Sequence, residues 1–167
     1  MYDELTQVDM NKMQEEIDYR IKILRPQYID EVKRTRAFGD LSENFEYKEA
    51  KREKNKNDSR IRYLEKMIKT AKVVSVDPKA EKIGLFDKVE LYFEDDDETE
   101  IVQIVTAMRQ NALNGLISKL SPIGKAIIGH KAGDRVCVEV NSDYSYNIVI
   151  RSVEKGKDDA SLPISTY

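Results

Sequence analysis

Tryptophan is absent from this chain of 167 residues, and cysteine and histidine occur once each. A single cysteine, Cys137, excludes an intrachain disulfide. It sits in an alternating apolar run, so the expectation is a small buried hydrophobe rather than a reactive thiol. A single histidine, His130, stands beside Gly129 in an expected loop and argues against a zinc centre built from His and Cys. No stretch approaches the ~20 apolar residues of a membrane span, and the start of the chain lacks the apolar core of a signal peptide. A soluble, cytoplasmic, monomeric protein without a membrane partner is expected. Internal repeats and low-complexity linkers are also missing.

Charge is what the sequence has in excess. Asp, Glu, Lys and Arg make up 35% of the residues, above the usual quarter or so. The net charge of −3 gives no nucleic-acid signal for the whole chain, but the charges are sorted. Residues 48–72 hold ten Lys/Arg against four Asp/Glu, and residues 87–100 hold eight Asp/Glu against one Lys. The second block, around Asp95-Asp96-Asp97, lacks the spaced oxygens and glycine of a calcium loop and reads as a solvated hairpin turn.

Hydrophobic periodicity divides the chain in two. Met10, Met13, Ile17, Ile21, Leu24, Tyr28 and Val32 recur at three- or four-residue spacing, as do Ala50, Asn57, Ile61, Leu64, Ile68 and Ala71. Each set forms one stripe of a helix. Ala37-Phe38-Gly39-Asp40 separates them, with Asp40 expected to open the second helix. Two long helices with a short connection pack antiparallel, and each arm of about 30 residues at ~1.5 Å rise gives a rod of ~45 Å. Pro26 should kink or loosen the first arm. Lys54 and Asn57 are expected opposite it, so weak packing and flexibility are expected at mid-hairpin.

Beyond residue 72 the period shortens. Strands are expected at Val73–Val76, Lys88–Phe93, Glu100–Val105, Arg135–Val140 and Tyr144–Val153. A short helix over 121–128 has Ser121 as N-cap, Pro122 at its first position and Gly129 as its stop. The fold class is therefore α+β: an antiparallel coiled-coil hairpin over 1–75 with an acidic tip near 37–47, a small antiparallel sheet domain with one short helix over 76–155, and a loose polar tail over 156–167.

The tip is the candidate site. Asp40 and Glu43 are three apart at an expected helix start, which suits a capping box and the positive end of the helix dipole. The same placement suits two carboxylates offered to a cation. Phe38, Phe45 and Tyr47 flank them, and are expected to close the end of the hairpin; base stacking is the alternative. Behind the tip, Lys48, Arg52 and Lys56 share a helix face, with Lys51 to one side. A solvated face and a phosphate-contacting patch both fit these four.

The stretch Arg34-Thr-Arg-Ala-Phe-Gly-Asp-Leu-Ser-Glu-Asn-Phe-Glu-Tyr47, with Ala50-Lys51, resembles the tip signature of the GreA/GreB transcription elongation factors. Arg60-Ile61, Leu64-Glu65, Ile117-Ser118, Ser121-Pro122-Ile123-Gly124, Gly129 and Gly133-Asp134 continue the likeness, which covers about residues 5 to 153. The resemblance implies a C-terminal domain like FK506-binding proteins that docks on the rim of the bacterial RNA polymerase secondary channel, through the region of Ser121 and Pro122. It implies a coiled coil inserted into that channel, where Asp40 and Glu43 help polymerase cleave the 3′ end of backtracked nascent RNA. Lys48, Lys51, Arg52 and Lys56 would contact that RNA without sequence preference and in a salt-dependent manner.

Phosphodiester hydrolysis profits from Mg²⁺, and Mg²⁺ takes about six oxygen ligands. Two exposed carboxylates can only complete a site that polymerase part-builds. The protein is thus expected to be an accessory factor and not a nuclease, with Mg²⁺ held in trans by Asp40 and Glu43 and none bound alone. The alternative is a channel binder of the same fold that regulates polymerase without stimulating cleavage; the intact Asp-Leu-Ser-Glu pattern favours cleavage. The interrupted basic face leans towards GreA rather than GreB. Two departures from the family pattern are Leu120, where a polar or acidic residue is common, and the turn Asn141-Ser142-Asp143, where Pro and Gly are.

Overall fold

The computed structural model describes residues 3–40 and 43–166. They form two compact units, Met10–Ala71 on one side and Asp3–Asp9 with Lys72–Tyr167 on the other. The α+β class is as the sequence pattern predicts.

The first unit is the hairpin. Helix α1 (Gln7–Tyr19) passes through a π turn (Arg20–Leu24) into α2 (Arg25–Arg36), and α3 (Phe45–Thr70) returns. Met13, Ile17, Ala50, Ile61 and Leu64 are buried along the seam as their spacing predicts. Ile21 is not: it is 36% exposed. The π turn, in which Arg25 N–H reaches Arg20 O, adds a residue to the turn and rotates Ile21 outward. Arg20 takes the inward place and donates to Asn57 Oδ1 at 2.9 Å. Pro26 follows in the first turn of α2, where a missing N–H is tolerated. The chain therefore stays helical past a residue that cannot donate. Around this point the seam is polar, as expected. Arg60 and Arg20 both hold Glu16, and Arg25 and Lys54 both hold Asp58.

The second unit is built on a five-stranded sheet in the order β5-β4-β3-β7-β6. Its strands are β3 (Lys88–Phe93), β4 (Glu98–Val105), β5 (Leu116–Ser118), β6 (Arg135–Glu139) and β7 (Ser145–Glu154). All pairings are antiparallel except β4–β5, which is parallel, so the sheet is mixed and not wholly antiparallel as expected. Alternation puts Val89, Leu91, Val102, Ile104, Val136, Val138, Ile148 and Ile150 on one face, packed with Ile127 of α4 (Pro122–Ile127) and Ile83. The same alternation corrects the expectation for Cys137. Val136 and Val138 point inward, so Cys137 between them is exposed.

A second, two-stranded parallel sheet pairs β1 (Glu4–Leu5) with β2 (Lys72–Val73). The tail is not loose. Lys155 Nζ and Gly156 N–H both donate to the buried Asp87 carboxylate, and Ser165 N–H donates to Met108 O. Arg109, wholly buried, donates to Asp159 O at 2.9 Å and lies 2.6 Å from Asp158 Oδ1 as an ion-pair contact. A polar tail is ordered here because a buried cation and a buried carboxylate need its oxygens and amides.

Candidate site at the hairpin tip

The site begins where α2 ends. Thr35, in its last turn, is buried at 1% exposure, and its hydroxyl donates back to Glu31 O. Phe38 N–H closes the turn onto Thr35 O at 3.2 Å. Gly39 follows with φ +116°, a conformation that L side chains rarely adopt, and reverses the chain. Asp40 and Glu43 then stand exposed outside regular helix, Glu43 in a turn.

The N-cap of α3 is Asn44, not Asp40. Its φ, ψ are −83° and 93°, and its Oδ1 accepts from Tyr47 N–H at 2.9 Å. The helix start expected at Asp40 therefore lies at Asn44, and neither carboxylate belongs to α3. The signal for Asn44 was available, since Asn ranks with Asp among N-caps.

The aromatics differ in exposure. Phe38 is 56% and Phe45 79% exposed, while Tyr47 is half-buried. Phe38 and Phe45 present most of their surface to solvent. Each carries a cation: the Arg34 guanidinium lies 5.1 Å from the Phe38 ring centre, and Lys48 Nζ 5.5 Å from that of Phe45. Arg34 is held from below by both oxygens of Glu31, at 2.9 and 2.5 Å. That pairing lowers the Glu31 carboxyl from its ordinary pKa and raises the guanidinium. Sequence reasoning passed over Arg34, whose three-residue spacing from Glu31 and four-residue spacing to Phe38 was its signal.

Lys48, Lys51, Arg52 and Lys56 are all exposed on α3. Arg52 pairs with Glu49 at 2.8 Å, an exposed contact of small worth. The hairpin thus brings Asp40, Glu43, the two exposed aromatics and the basic residues to one end of one unit. Ser121 and Pro122 belong to the other unit. There Ser121 Oγ caps α4 by accepting from Gly124 N–H at 3.0 Å, Pro122 is exposed, and Leu120 is 41% exposed. Gly124 is required, since a Cβ there would lie 2.2 Å from Ser118 O.

Among the described residues, no three His, Cys, Asp or Glu side chains come together to hold a metal ion, and no helix is long and apolar enough to cross a membrane. As hard oxygen donors, Asp40 and Glu43 could supply only part of a Mg²⁺ ligand set.

A family model for the N-terminal part of transcription elongation factors matches residues 4–73, and one for the GreA/GreB C-terminal part matches residues 77–155. The transcription elongation factor GreA of Thermoanaerobacter pseudethanolicus is 42% identical over 137 residues, 81% of this chain and 87% of that one. GreA of Mesomycoplasma hyopneumoniae is 36% identical over 145 residues, 87% of this chain and 91% of that one. The crystal structure of GreA factor homolog 1 of Thermus thermophilus aligns at a TM-score of 0.43 and 23% identity, covering 92% of this chain and 99% of that chain. With both of its parts matched in order, this chain belongs to the GreA/GreB family of transcription elongation factors.

Proposed function

We propose that this chain binds bacterial RNA polymerase, enters its secondary channel with the hairpin, and stimulates cleavage of the 3′ end of backtracked RNA, so that arrested complexes resume. One observation carries the reading. Asp40 and Glu43 stand exposed at the hairpin's end, outside α3, whose N-cap is Asn44.

The residues divide the work by chemistry. Asp40 and Glu43 complete an oxygen ligand set that polymerase and the RNA phosphate begin, and orient the attacking water by accepting its hydrogen bonds. A Mg²⁺ that Asp40 and Glu43 helped polymerase to hold would supply Lewis-acid activation of that water and charge neutralisation on the phosphate. Lys48, Lys51, Arg52 and Lys56 attract the extruded RNA backbone, a contact that salt weakens. Phe38 and Phe45 offer exposed rings to an unstacked base. Ser121 and Pro122, at the start of α4, form the docking contact on polymerase. The isolated chain has no appreciable nuclease activity, because it holds only part of the metal site.

The test uses a stalled, backtracked elongation complex and follows release of short 3′ RNA fragments. Asp40→Asn should lower the stimulated rate about 100-fold or more, while competition binding to polymerase stays near wild type. Undiminished cleavage by this variant would remove the proposal.

A further inference from the structure

The amide of Asn44 makes two bonds that bear on the tip carboxylates. Its Oδ1 accepts from Tyr47 N–H at 2.9 Å, inside the first turn of α3. Its Nδ2 donates to Thr35 O at 2.7 Å, in the last turn of α2, nine residues earlier. Both partners are helix-end groups that lack an intrahelical mate. One side chain thus joins the carbonyl end of the outgoing arm to the amide end of the returning arm.

The anchor is firm on the outgoing side. Thr35 is buried, and its hydroxyl is bonded to Glu31 O at 2.9 Å and Val32 O at 3.2 Å. Thr35 O accepts from Phe38 N–H as well as from Asn44. Asp40 and Glu43 lie on the stretch between these two anchors, and Glu43 is bonded directly to Asn44 in the chain.

We infer that Asn44 is a positioning residue for transcript cleavage: it closes the base of the tip loop and so fixes where Asp40 and Glu43 stand. The inference rests on the cleavage reading above. An ordinary N-cap needs only an acceptor, which Ser and Asp supply as well as Asn does. Closing the loop needs, in addition, a donor that reaches the opposite arm. Among the good N-cap residues with a side chain, Asn alone has both an acceptor and an amide donor of that length. Without the second bond the loop loses its tie from Asn44 to the outgoing arm. Catalytic groups displaced by about 1 Å can lose on the order of 100-fold in rate.

Asn44→Ser and Asn44→Asp separate the two bonds, since each keeps the cap acceptor and removes the amide that reaches Thr35 O. In the backtracked-complex assay we expect both to lower the maximal cleavage rate at saturating factor by roughly 10-fold, an order of magnitude within the range set by misplacement. The factor concentration giving half-maximal cleavage should stay within about 2-fold of wild type, because docking does not use Asn44. The Mg²⁺ concentration giving half-maximal cleavage should rise, because misplaced carboxylates complete the metal site poorly. A merely structural cap would leave that Mg²⁺ dependence unmoved. Thermal melting by circular dichroism confirms that both variants fold.

Wild-type cleavage by both variants, with Asp40→Asn inactive, overturns the inference and leaves the cleavage reading standing. So does a change in factor affinity alone. Wild-type cleavage by Asp40→Asn defeats the cleavage reading itself, whatever Asn44 variants do.

Discussion

Asp9 and Asp40 put the same side chain to opposite uses. Asp9 is fully buried. Its Oδ2 accepts from Thr6 N–H at 3.0 Å and from the Thr6 hydroxyl at 3.2 Å, and its Oδ1 accepts from Arg109 Nε at 2.5 Å. Asp9 N–H returns a bond to Thr6 Oγ1 at 3.3 Å, which completes a reciprocal cap on α1. Arg109 also reaches the tail and stacks 5.0 Å from the Phe86 ring centre. Asp40 is exposed, beside a glycine, at the end of a rod. The difference teaches where charge can serve a partner. A buried carboxylate surrounded by donors has its lone pairs committed, and its removal is a stability event. An exposed carboxylate adds little to stability and can be lent to another active site.

The largest effect should come from breaking this contrast on its buried side. Arg109→Met leaves Asp9 buried without its cation and releases Asp158, which should cost about 3–5 kcal/mol of stability. Asp40→Asn should change stability by less than about 0.5 kcal/mol. Urea unfolding of both variants measures the two costs side by side. A loss below ~1 kcal/mol for Arg109→Met would mean that the node does not hold this unit together.

These same residues explain what could be read in advance. A capping box stands at Thr6 and Asp9, where Asp takes the place usual for Glu or Gln. Local pattern finds caps but does not choose between two candidate starts, and Asp40 and Asn44 are both good N-cap residues. The strands of the main sheet were legible because half-buried strands alternate, and the same alternation, followed strictly, turns Cys137 outward. The node around Arg109 was not legible. Asp9, Arg109 and Asp158 are far apart in sequence, and nothing local in a lone arginine reveals that it will be buried. The tip residues were legible as a motif, whereas the bond from Asn44 to Thr35 O depends on how the two arms meet.

A smaller effect sharpens the comparison within the hairpin, whose polar seam lies between the two extremes. Burial alone would raise the Glu16 carboxyl, but hydrogen bonds from Arg60 and Arg20 outweigh it and the net pKa is lowered. Asp58 behaves alike: burial raises it, and bonds from Arg25 and Lys54 bring it below its ordinary value. A carboxylate with a lowered folded pKa contributes stability that is present above its unfolded pKa, near 4. That stability is lost as pH falls through the lower, folded value. Helical melting followed by circular dichroism should therefore weaken progressively below about pH 4. Glu16→Gln with Asp58→Asn should flatten this acid slope. An unchanged slope would place the acid-sensitive groups elsewhere.

The smallest effect concerns the π turn, where the hairpin carries neither an apolar seam nor a buried ion. None of Arg20–Leu24 is buried, and Ile21 and Ile23 are 36% and 46% exposed. Arg20 O accepts from Arg25 N–H and, at 3.4 Å, from the Asn57 amide, while Pro26 donates nothing. Local opening is governed by buried apolar contact and by shielding of backbone bonds. Both are poor here and better at Ile61 and Leu64, which are 2% and 0% exposed. Native-state hydrogen exchange should therefore show the amides of residues 21–25 exchanging at least ~10-fold faster than those of residues 61–64. Pro26→Ala restores a donor to the first turn of α2 and should narrow the gap without altering the tip. Full protection across residues 21–25 would mean that the polar contacts of Asn57 and Asp58 hold this turn as firmly as an apolar seam does.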